Sequence, residues 1–264
     1  MGNDLAGLRV VITRPARQAA ALVERIKQAG GRPLLFPLLA IADPADPGAL
    51  RPLLEQLPET DLLIFVSPNA VHYGLRQVAA YGGLPPGGRL ACVGEGTARA
   101  LEQLAGRSPD LLPAGGYDSE ALLALPALQQ VDGQRVVIFR GQGGREQLAE
   151  TLRARGAQVG YAEVYRRVKP DNDPERLLAP LRQGEIDIIT VTSSEALENL
   201  IEFGAPELET LQRTPLVVFH QRIADAARRR GFHGPLRVCD QPGDDGLLET
   251  LRRWRHGEYQ RDER

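Results

Sequence analysis

Arginine, serine, threonine and histidine side chains gather in the turns that follow the predicted strands of this chain. Hydroxyl groups, cations and the N–H groups of a helix N-terminus are groups that bind carboxylates and other anions. In open parallel sheets, small ligands bind where such turns meet, at the carboxyl ends of the strands. If two lobes face each other, the turns line a cleft. They lie around Arg14, Ser67, Gly94–Thr97, Gly116–Ser119, Arg140–Gly144, Thr192–Ser194 and His220–Arg222.

The elements that must position these turns occur twice. The matching segments are residues 8–41 with 134–167, residues 61–71 with 187–197 and, more weakly, residues 90–100 with 216–226. Each match has the same offset of 126 residues and needs no gap. Arg14 recurs as Arg140, and Ser67 recurs as Ser193. Because chance similarity between apolar strands would not hold one register over three blocks, the chain is a duplication.

Apolar runs rich in β-branched residues alternate with amphipathic stretches in both copies. Arg9–Thr13 is typical of a parallel strand that is buried on both faces, and Asp110–Leu112 is predicted to form a short strand. About ten strands alternating with helices predict an α/β fold. It consists of two similar parallel-sheet, helix-covered lobes of the flavodoxin or Rossmann type. From the repeat alone, the lobes are contiguous and divide at residue 126.

The composition is that of an ordinary globular protein. The chain has 264 residues, of which 42% are hydrophobic and 25% charged, and this length suits two lobes of about 120–130 residues each. The net charge of −2 argues against a general nucleic-acid binder. The start carries no signal-peptide pattern and no run long enough to span a membrane. We therefore expect a cytoplasmic protein.

Metal and cofactor sites are not indicated. Cys92 and Cys239 lie in apolar runs and are predicted to be free, buried thiols, and the four histidines have no metal-ligand spacing. Gly94-x-Gly96 lacks the third glycine of the dinucleotide fingerprint, and Gly143-Gly144 lacks the Gly-Lys-Ser/Thr of a P-loop. We expect neither a metal nor a cofactor.

The order and spacing of several motifs resemble the uroporphyrinogen-III synthase family. The motifs are the Thr-Arg-Pro turn after the first strand, Ser67-Pro68-Asn69-Ala70, Val93–Ala98, Ser119-Glu120, Val164-Tyr165-Arg166 and Thr192-Ser193-Ser194. Each motif is loose by itself, but their combination is fairly specific. The resemblance covers about residues 8–251.

This resemblance implies a cofactor-free lyase of tetrapyrrole biosynthesis. The family's substrate is hydroxymethylbilane, a linear tetrapyrrole with eight carboxylates. The enzyme closes it to uroporphyrinogen III with loss of water and inversion of ring D, by a proposed route through an azafulvene and a spiro intermediate. We expect a monomer that can receive its substrate by transient hand-over from hydroxymethylbilane synthase.

The resemblance also implies a domain organisation that the repeat does not give. The first β-α-β unit completes the lobe of the C-terminal half, so that residues 1–37 and 169–264 form lobe 1. Residues 43–162 form lobe 2. Residues 38–42 and 163–168 are the two connecting strands.

Tyr165 matches the family's tyrosine at a strand end, which implies a catalytic role. A phenol within hydrogen-bond reach can protonate a departing hydroxyl group. The alternative is an aromatic side chain that packs the connector. Tyr161, four residues earlier, could share the face of Tyr165 on the strand and is interpreted as packing.

Substrate carboxylates would be met by cations and by helix N-termini. Arg14 and Arg140 are predicted to contact acetate or propionate groups, and the alternative for each is a salt bridge or an exposed turn. Residues predicted to bind carboxylates through hydroxyl or backbone N–H groups are Ser67, Gly94, Thr97, Ser119 and Ser193. The hydroxyl-bearing ones are equally good helix caps.

The second copy departs from the family pattern at one turn. His220-Gln221-Arg222-Ile223 stands where the family has Gly-x-x-Thr, so no threonine is carried over. His220 or Arg222 can take the carboxylate-binding role there.

Two other functions remain open on the sequence. A non-enzymatic bilobed small-ligand-binding protein would share the architecture but would give no reason for Tyr165 on the connector. A dinucleotide-dependent enzyme is opposed by the incomplete glycine fingerprint.

Overall fold

The computed structural model describes residues 3–114 and 118–257. Its strands are β1 (Arg9–Ile12), β2 (Arg32–Leu35), β3 (Ala40–Ala42), β4 (Leu62–Phe65), β5 (Arg89–Cys92), β6 (Arg135–Gly141), β7 (Gln158–Val168), β8 (Ile188–Val191), β9 (Leu216–Val218) and β10 (Leu236–Val238).

The helices cover the stretches between the strands. They are α1 (Ala16–Gln28), α2 (Arg51–Glu55), α3 (Pro68–Ala79), α4 (Glu95–Ala105), α5 (Ser119–Leu123), α6 (Gln147–Ala154), α7 (Glu175–Arg182), α8 (Ser194–Phe203), α9 (Leu208–Arg213), α10 (Gln221–Arg229) and α11 (Asp244–Arg255). Short 3-10 turns occupy Pro47–Leu50, Leu57–Glu59, Pro126–Leu128 and Ala205–Glu207.

The strands form two five-stranded sheets within two compact units. The sheet of unit 1 has the order β10-β9-β8-β1-β2, and the sheet of unit 2 has the order β3-β7-β6-β4-β5. The described chain passes from unit 1 to unit 2 between Ala40 and Ile41 and returns between Arg167 and Val168. Because β1 pairs with β8 and β2 pairs with β1, the observed arrangement differs from the contiguous division at residue 126.

The two units repeat each other in strand register. Val10 of β1 pairs with Ile188 of β8, and their equivalents Val136 and Leu62 pair in unit 2. The same correspondence holds for the pairing of β8 with β9 and of β4 with β5. The predicted α/β fold and its internal duplication are therefore confirmed.

Each sheet has a buried apolar cluster on both of its faces, as expected for parallel strands that helices cover. Strands β4 and β8 are buried along their whole length. At the starts of β1 and β6, an aspartate carboxylate accepts a backbone N–H group of the strand. Asp187 accepts from Arg9 at 2.7 Å and Asp61 from Arg135 at 2.8 Å.

The structure departs from the predicted elements at one strand. Asp110–Leu112 does not form a strand, and Leu111 makes only an isolated parallel bridge to Ala91. The equivalent residues of unit 1 form β10, which pairs with β9 along Leu236–Val238. Among the described residues, no helix is both long enough and apolar enough to cross a membrane.

Candidate active site

Tyr165 lies near the carboxyl end of β7, and its side chain is buried, with 5% of its surface exposed. The phenol oxygen is 3.2 Å from Ser67 Oγ. Ser67 is the N-cap of α3, where its Oγ accepts the backbone N–H of Ala70 at 3.1 Å. The predicted capping role of Ser67 and its position beside Tyr165 thus occur together.

A β-bulge sets the orientation of Tyr165. The register between β6 and β7 shifts at Arg140 and Gly141, so that Gly141 faces Tyr165. Bulges of this kind redirect a side chain, and Tyr165 belongs to the buried cluster on one face of the sheet, whereas Tyr161 packs against the cluster on the other. The expectation that the two tyrosines share a face is therefore wrong.

Gly141 leaves the space that the phenol ring occupies. A Cβ atom at this position would lie 2.4 Å from Tyr165 Cε2. On its other side, Tyr165 packs against Tyr73, with the ring centroids 5.9 Å apart.

A cavity of about 210 Å³ opens beside Tyr165 within unit 2. It brings together Tyr165, Arg140 and Ser119, three of the predicted site residues. The cavity is also lined by Val66, Ile138, Gly141–Arg145, Leu148, Tyr161 and Arg167. Gly94 and Thr97, at the start of α4, are buried but do not line this cavity.

The guanidinium of Arg140 is the centre of a polar cluster at this cavity. It stacks over the ring of Tyr161, 4.1 Å from the centroid. Its Nη1 lies 3.0 Å from Glu146 Oε1, and its Nη2 lies 3.4 Å from Glu163 Oε1. Glu146 also accepts the Tyr161 hydroxyl at 2.6 Å. The predicted alternative for Arg140, a salt bridge, is thus present in this structure.

The cluster changes the acidity of two of its members. The hydrogen bond from Tyr161, followed by that from Arg140, lowers the pKa of Glu146. Burial, with the neighbouring Glu146 carboxylate, raises the pKa of Tyr161 to about 12. Near neutral pH, Glu146 is therefore an anion and Tyr161 a neutral donor.

The remaining predicted residues belong to unit 1. Arg14 pairs with Asp244 of α11. Ser193 is the N-cap of α8 and accepts the Ala196 N–H at 3.1 Å, as Ser67 does for α3. His220 is the N-cap residue of α10 without a side-chain capping bond, and Arg222 is exposed.

The turn predicted at Gly116–Ser119 is described only in part. Gly116 lies outside the described residues. Asp118 caps α5 by accepting the Ala121 N–H at 2.8 Å. Ser119, the first residue of α5, lines the cavity. Both Cys92 and Cys239 are buried, as predicted.

Sequence reasoning missed Gly141, Glu146 and Glu163. In the sequence, Glu163 stands two residues before Tyr165 and Glu146 stands two residues after Gly144. Neither position by itself indicates a contact with Arg140. Their meaning depends on the pairing of β6 with β7, which brings Arg140 opposite Glu163.

Together, these observations define a duplicated two-unit α/β protein with a polar-lined cavity at the carboxyl ends of parallel strands in unit 2. The family model described as uroporphyrinogen-III synthase HemD matches residues 20–249. The chain therefore belongs to the uroporphyrinogen-III synthase family.

Relatives and solved structures agree with this assignment. The uroporphyrinogen-III synthase of Salmonella typhimurium is 34% identical over 247 residues, 92% of this chain and 100% of that protein. The one from Escherichia coli is 33% identical over 250 residues, again 92% and 100%. A mutant uroporphyrinogen III synthase from Thermus thermophilus has the same fold, with a TM-score of 0.59 and 24% identity over 95% of this chain and 100% of that one.

These findings confirm the predicted family, the predicted function and the lyase class of enzyme. They do not favour a non-enzymatic ligand-binding protein. A substrate of the tetrapyrrole class follows from the family.

Proposed function

We propose that this uroporphyrinogen-III synthase closes hydroxymethylbilane with Tyr165 as the residue that assists loss of the terminal hydroxyl group. The observation that carries the assignment of this role is the 3.2 Å contact between the Tyr165 and Ser67 hydroxyl oxygens. The contact lies at the sheet edge where ligands of such folds bind.

The hydrogen bonds around Ser67 suggest how the phenol proton is directed. Either hydroxyl can donate across the 3.2 Å contact, and we assign the donor role to Ser67, whose Oγ already accepts the Ala70 N–H at 3.1 Å. The phenol proton then points away from Ser67. A substrate hydroxyl that accepts this proton leaves as water, and the bond cleavage leaves the pyrrole chain as a cationic azafulvene and Tyr165 as a phenolate. Ring closure later releases a pyrrole proton, and its transfer to the phenolate restores Tyr165.

Binding of the substrate carboxylates is proposed for several turns. In unit 2 these are the turns of Ser67, Gly94, Thr97, Ser119 and Arg140, and in unit 1 those of Arg14, Ser193, His220 and Arg222. Support comes from their places at strand carboxyl ends and helix N-termini, where cations and N–H groups attract anions.

The division into two lobes and two connecting strands is also a proposal. Residues 38–42 and 163–168 act as connecting strands between lobe 1 (1–37 and 169–264) and lobe 2 (43–162), because the described chain changes units within or next to both segments. We further propose a cytoplasmic monomer that needs no cofactor and receives its substrate by transient hand-over from hydroxymethylbilane synthase.

Product analysis tests the function directly. The purified protein is supplied with hydroxymethylbilane, the products are oxidised, and the porphyrin isomers are separated. We expect the type III isomer to dominate. Production of type I alone, as in a reaction without protein, would rule the proposal out.

A further inference from the structure

Two carboxylates contact the buried guanidinium of Arg140, and they are held very differently. Glu146 is fixed by contacts of 3.0 Å to Arg140 and 2.6 Å to the Tyr161 hydroxyl. Glu163 Oε1 lies 3.4 Å from Arg140 Nη2, which is longer than the about 2.7–2.9 Å of a strong charge-assisted hydrogen bond. Glu146 therefore anchors the arginine, whereas Glu163 is only loosely held.

The backbone N–H of Gly143 is directed at the same oxygen of Glu163, also at 3.4 Å. Gly143 has a φ of +70°, a left-handed conformation that glycine adopts without strain. A guanidinium and a backbone N–H that converge on one oxygen form the kind of donor set that binds a carboxylate. Glu163 thus occupies an anion site.

The solvent exposure of Glu163 and Arg140 indicates which of the two side chains can move out of the contact. The Glu163 side chain is 38% exposed and that of Arg140 is 8% exposed. The glutamate can turn towards solvent and be hydrated there. The arginine stays in place because Glu146 and the Tyr161 ring hold it from two other directions.

Unit 1 lacks this arrangement, although it repeats the scaffold. At the positions equivalent to Gly143, Glu146 and Glu163 it carries Arg17, Ala20 and Pro37. The duplicated fold therefore forms without these three residues. Their presence in unit 2 calls for a reason other than folding.

We propose that Arg140 Nη2 and the Gly143 N–H form a carboxylate subsite in which Glu163 is replaced by a carboxylate of the ligand. The proposal rests on the proposed function for the identity of that ligand, an acetate or propionate substituent of a pyrrole. The adjoining cavity of about 210 Å³ has apolar walls at Val66, Ile138 and Leu148 that suit the carbon part of such a group. Glu163 occupies this subsite until the substrate arrives and competes with the substrate carboxylate for it.

Steady-state kinetics of matched glutamate variants test the competition. Because Glu163→Gln removes the competing anion, we expect KM for hydroxymethylbilane to fall about three- to tenfold. Glu163→Ala removes the same anion and should lower KM in the same direction. Glu146→Gln removes the same charge from the same guanidinium but loosens its anchor, so its KM is expected to be equal or higher.

A fourth variant controls for the general loss of negative charge. Glu120 pairs with Arg145, another residue of the cavity, at 3.7 Å. Glu120→Gln should change KM less than twofold. An unchanged or raised KM in both Glu163 variants, or an equal fall in Glu120→Gln, would overturn the subsite.

Acetate binding tests the subsite without turnover. Sodium acetate replaces chloride at constant ionic strength while the Gly143 amide resonance is followed by nuclear magnetic resonance. We expect saturation at several-fold lower acetate in Glu163→Gln than in the wild type, and loss of the response in Arg140→Lys. An unresponsive Gly143 amide in Glu163→Gln contradicts the inference even if type III product forms. If the Gly143 amide responds to acetate but the protein forms no type III product, the subsite is supported and the proposed function is ruled out.

Discussion

The hydroxyl oxygens of Tyr165 and Ser67 lie 3.2 Å apart at the carboxyl edge of the sheet of unit 2. Ser67 also caps α3, so a continuous line of hydrogen-bonding groups runs from a helix N-terminus to the phenol. Unit 1 keeps the cap in Ser193 but has Leu39 at the position of Tyr165. The two units thus share the scaffold and the serine cap, but only unit 2 carries the phenol of Tyr165 at this position.

The first prediction concerns the phenol itself. Tyr165→Phe should lower the rate of type III formation about 100-fold or more, the range that general acid catalysis contributes. The free energy of unfolding should fall by only about 0.5–1.5 kcal/mol, the value of one hydrogen bond. Isomer analysis and thermal unfolding measure the two effects.

Tyr73→Phe is the matched control for that variant. Tyr73 belongs to the same buried cluster, and its hydroxyl donates to the Ile41 carbonyl at 2.9 Å. Near-wild-type rates are expected. If Tyr165→Phe were as active as Tyr73→Phe, Tyr165 would be a packing residue.

The second prediction concerns the glycine beside the phenol. Gly141→Ala would place a Cβ atom 2.4 Å from the Tyr165 ring, so the ring must move. We expect an activity loss approaching that of Tyr165→Phe and a destabilisation of about 1–3 kcal/mol, as for other overpacked sites. Gly87→Ala is the control, because no atom lies within 4 Å of its added Cβ. Full activity in Gly141→Ala would contradict the positioning role.

The third prediction separates binding from chemistry at the arginines. Arg14→Lys and Arg140→Lys retain the charge but lose the paired N–H geometry of guanidinium. Each should raise KM about tenfold, equivalent to about 1.4 kcal/mol, and change kcat less. Initial rates over a range of hydroxymethylbilane concentrations give both constants. A fall confined to kcat would indicate that the arginines act in the chemical step.

The fourth prediction compares two equivalent aspartates. Burial opposes ionisation of Asp187, but hydrogen bonds from the Arg9 side chain and backbone outweigh it and lower its pKa. This stabilisation is present above the ordinary carboxyl pKa and is lost as pH falls through the lowered value. Asp187→Asn should therefore cost about 1–2 kcal/mol at neutral pH, allowing for partial exposure.

Asp61→Asn provides the comparison for this effect. Asp61 accepts the Arg135 N–H at 2.8 Å, whereas Asp187 also receives two side-chain bonds from Arg9, at 3.1 and 2.6 Å. Denaturant unfolding should show the smaller loss in Asp61→Asn. Equal losses would mean that the Arg9 side chain adds nothing.

The fifth prediction concerns stability at alkaline pH. Burial, with a smaller effect of Glu102, raises the pKa of Cys92 to about 12. Above a pH of about 9 the thiol ionises in the unfolded chain but not in the folded one, so stability falls as pH rises, by at most about 1.4 kcal/mol per pH unit. Cys92→Ala should reduce the slope of unfolding free energy between about pH 9.5 and 11.5. An unchanged slope would contradict a raised pKa of Cys92 in the folded protein.

The sequence by itself determined most of the strands and helices, the duplication and the residues at the strand ends. These are local properties, since β-branched runs, caps and a fixed repeat offset can be read without knowing what packs against them. Motif order was enough to indicate the family. It also singled out Tyr165, Ser67 and Arg140, although their roles remain proposals.

The tertiary structure alone decided which residues meet. Strand β1 pairs with β8, which follows it 178 residues later in the chain (Val10 with Ile188). A repeated sequence is compatible with more than one such pairing. The bulge at Gly141 turns Tyr165 to the opposite face from Tyr161. A glycine in a strand suggests a bulge, but it does not show which side chain of the paired strand is redirected. The contacts of Arg140 with Glu146 and Glu163 require the β6–β7 register and the glycine turn together, because they depend on distances of a few ångströms between residues that sequence reasoning treats separately.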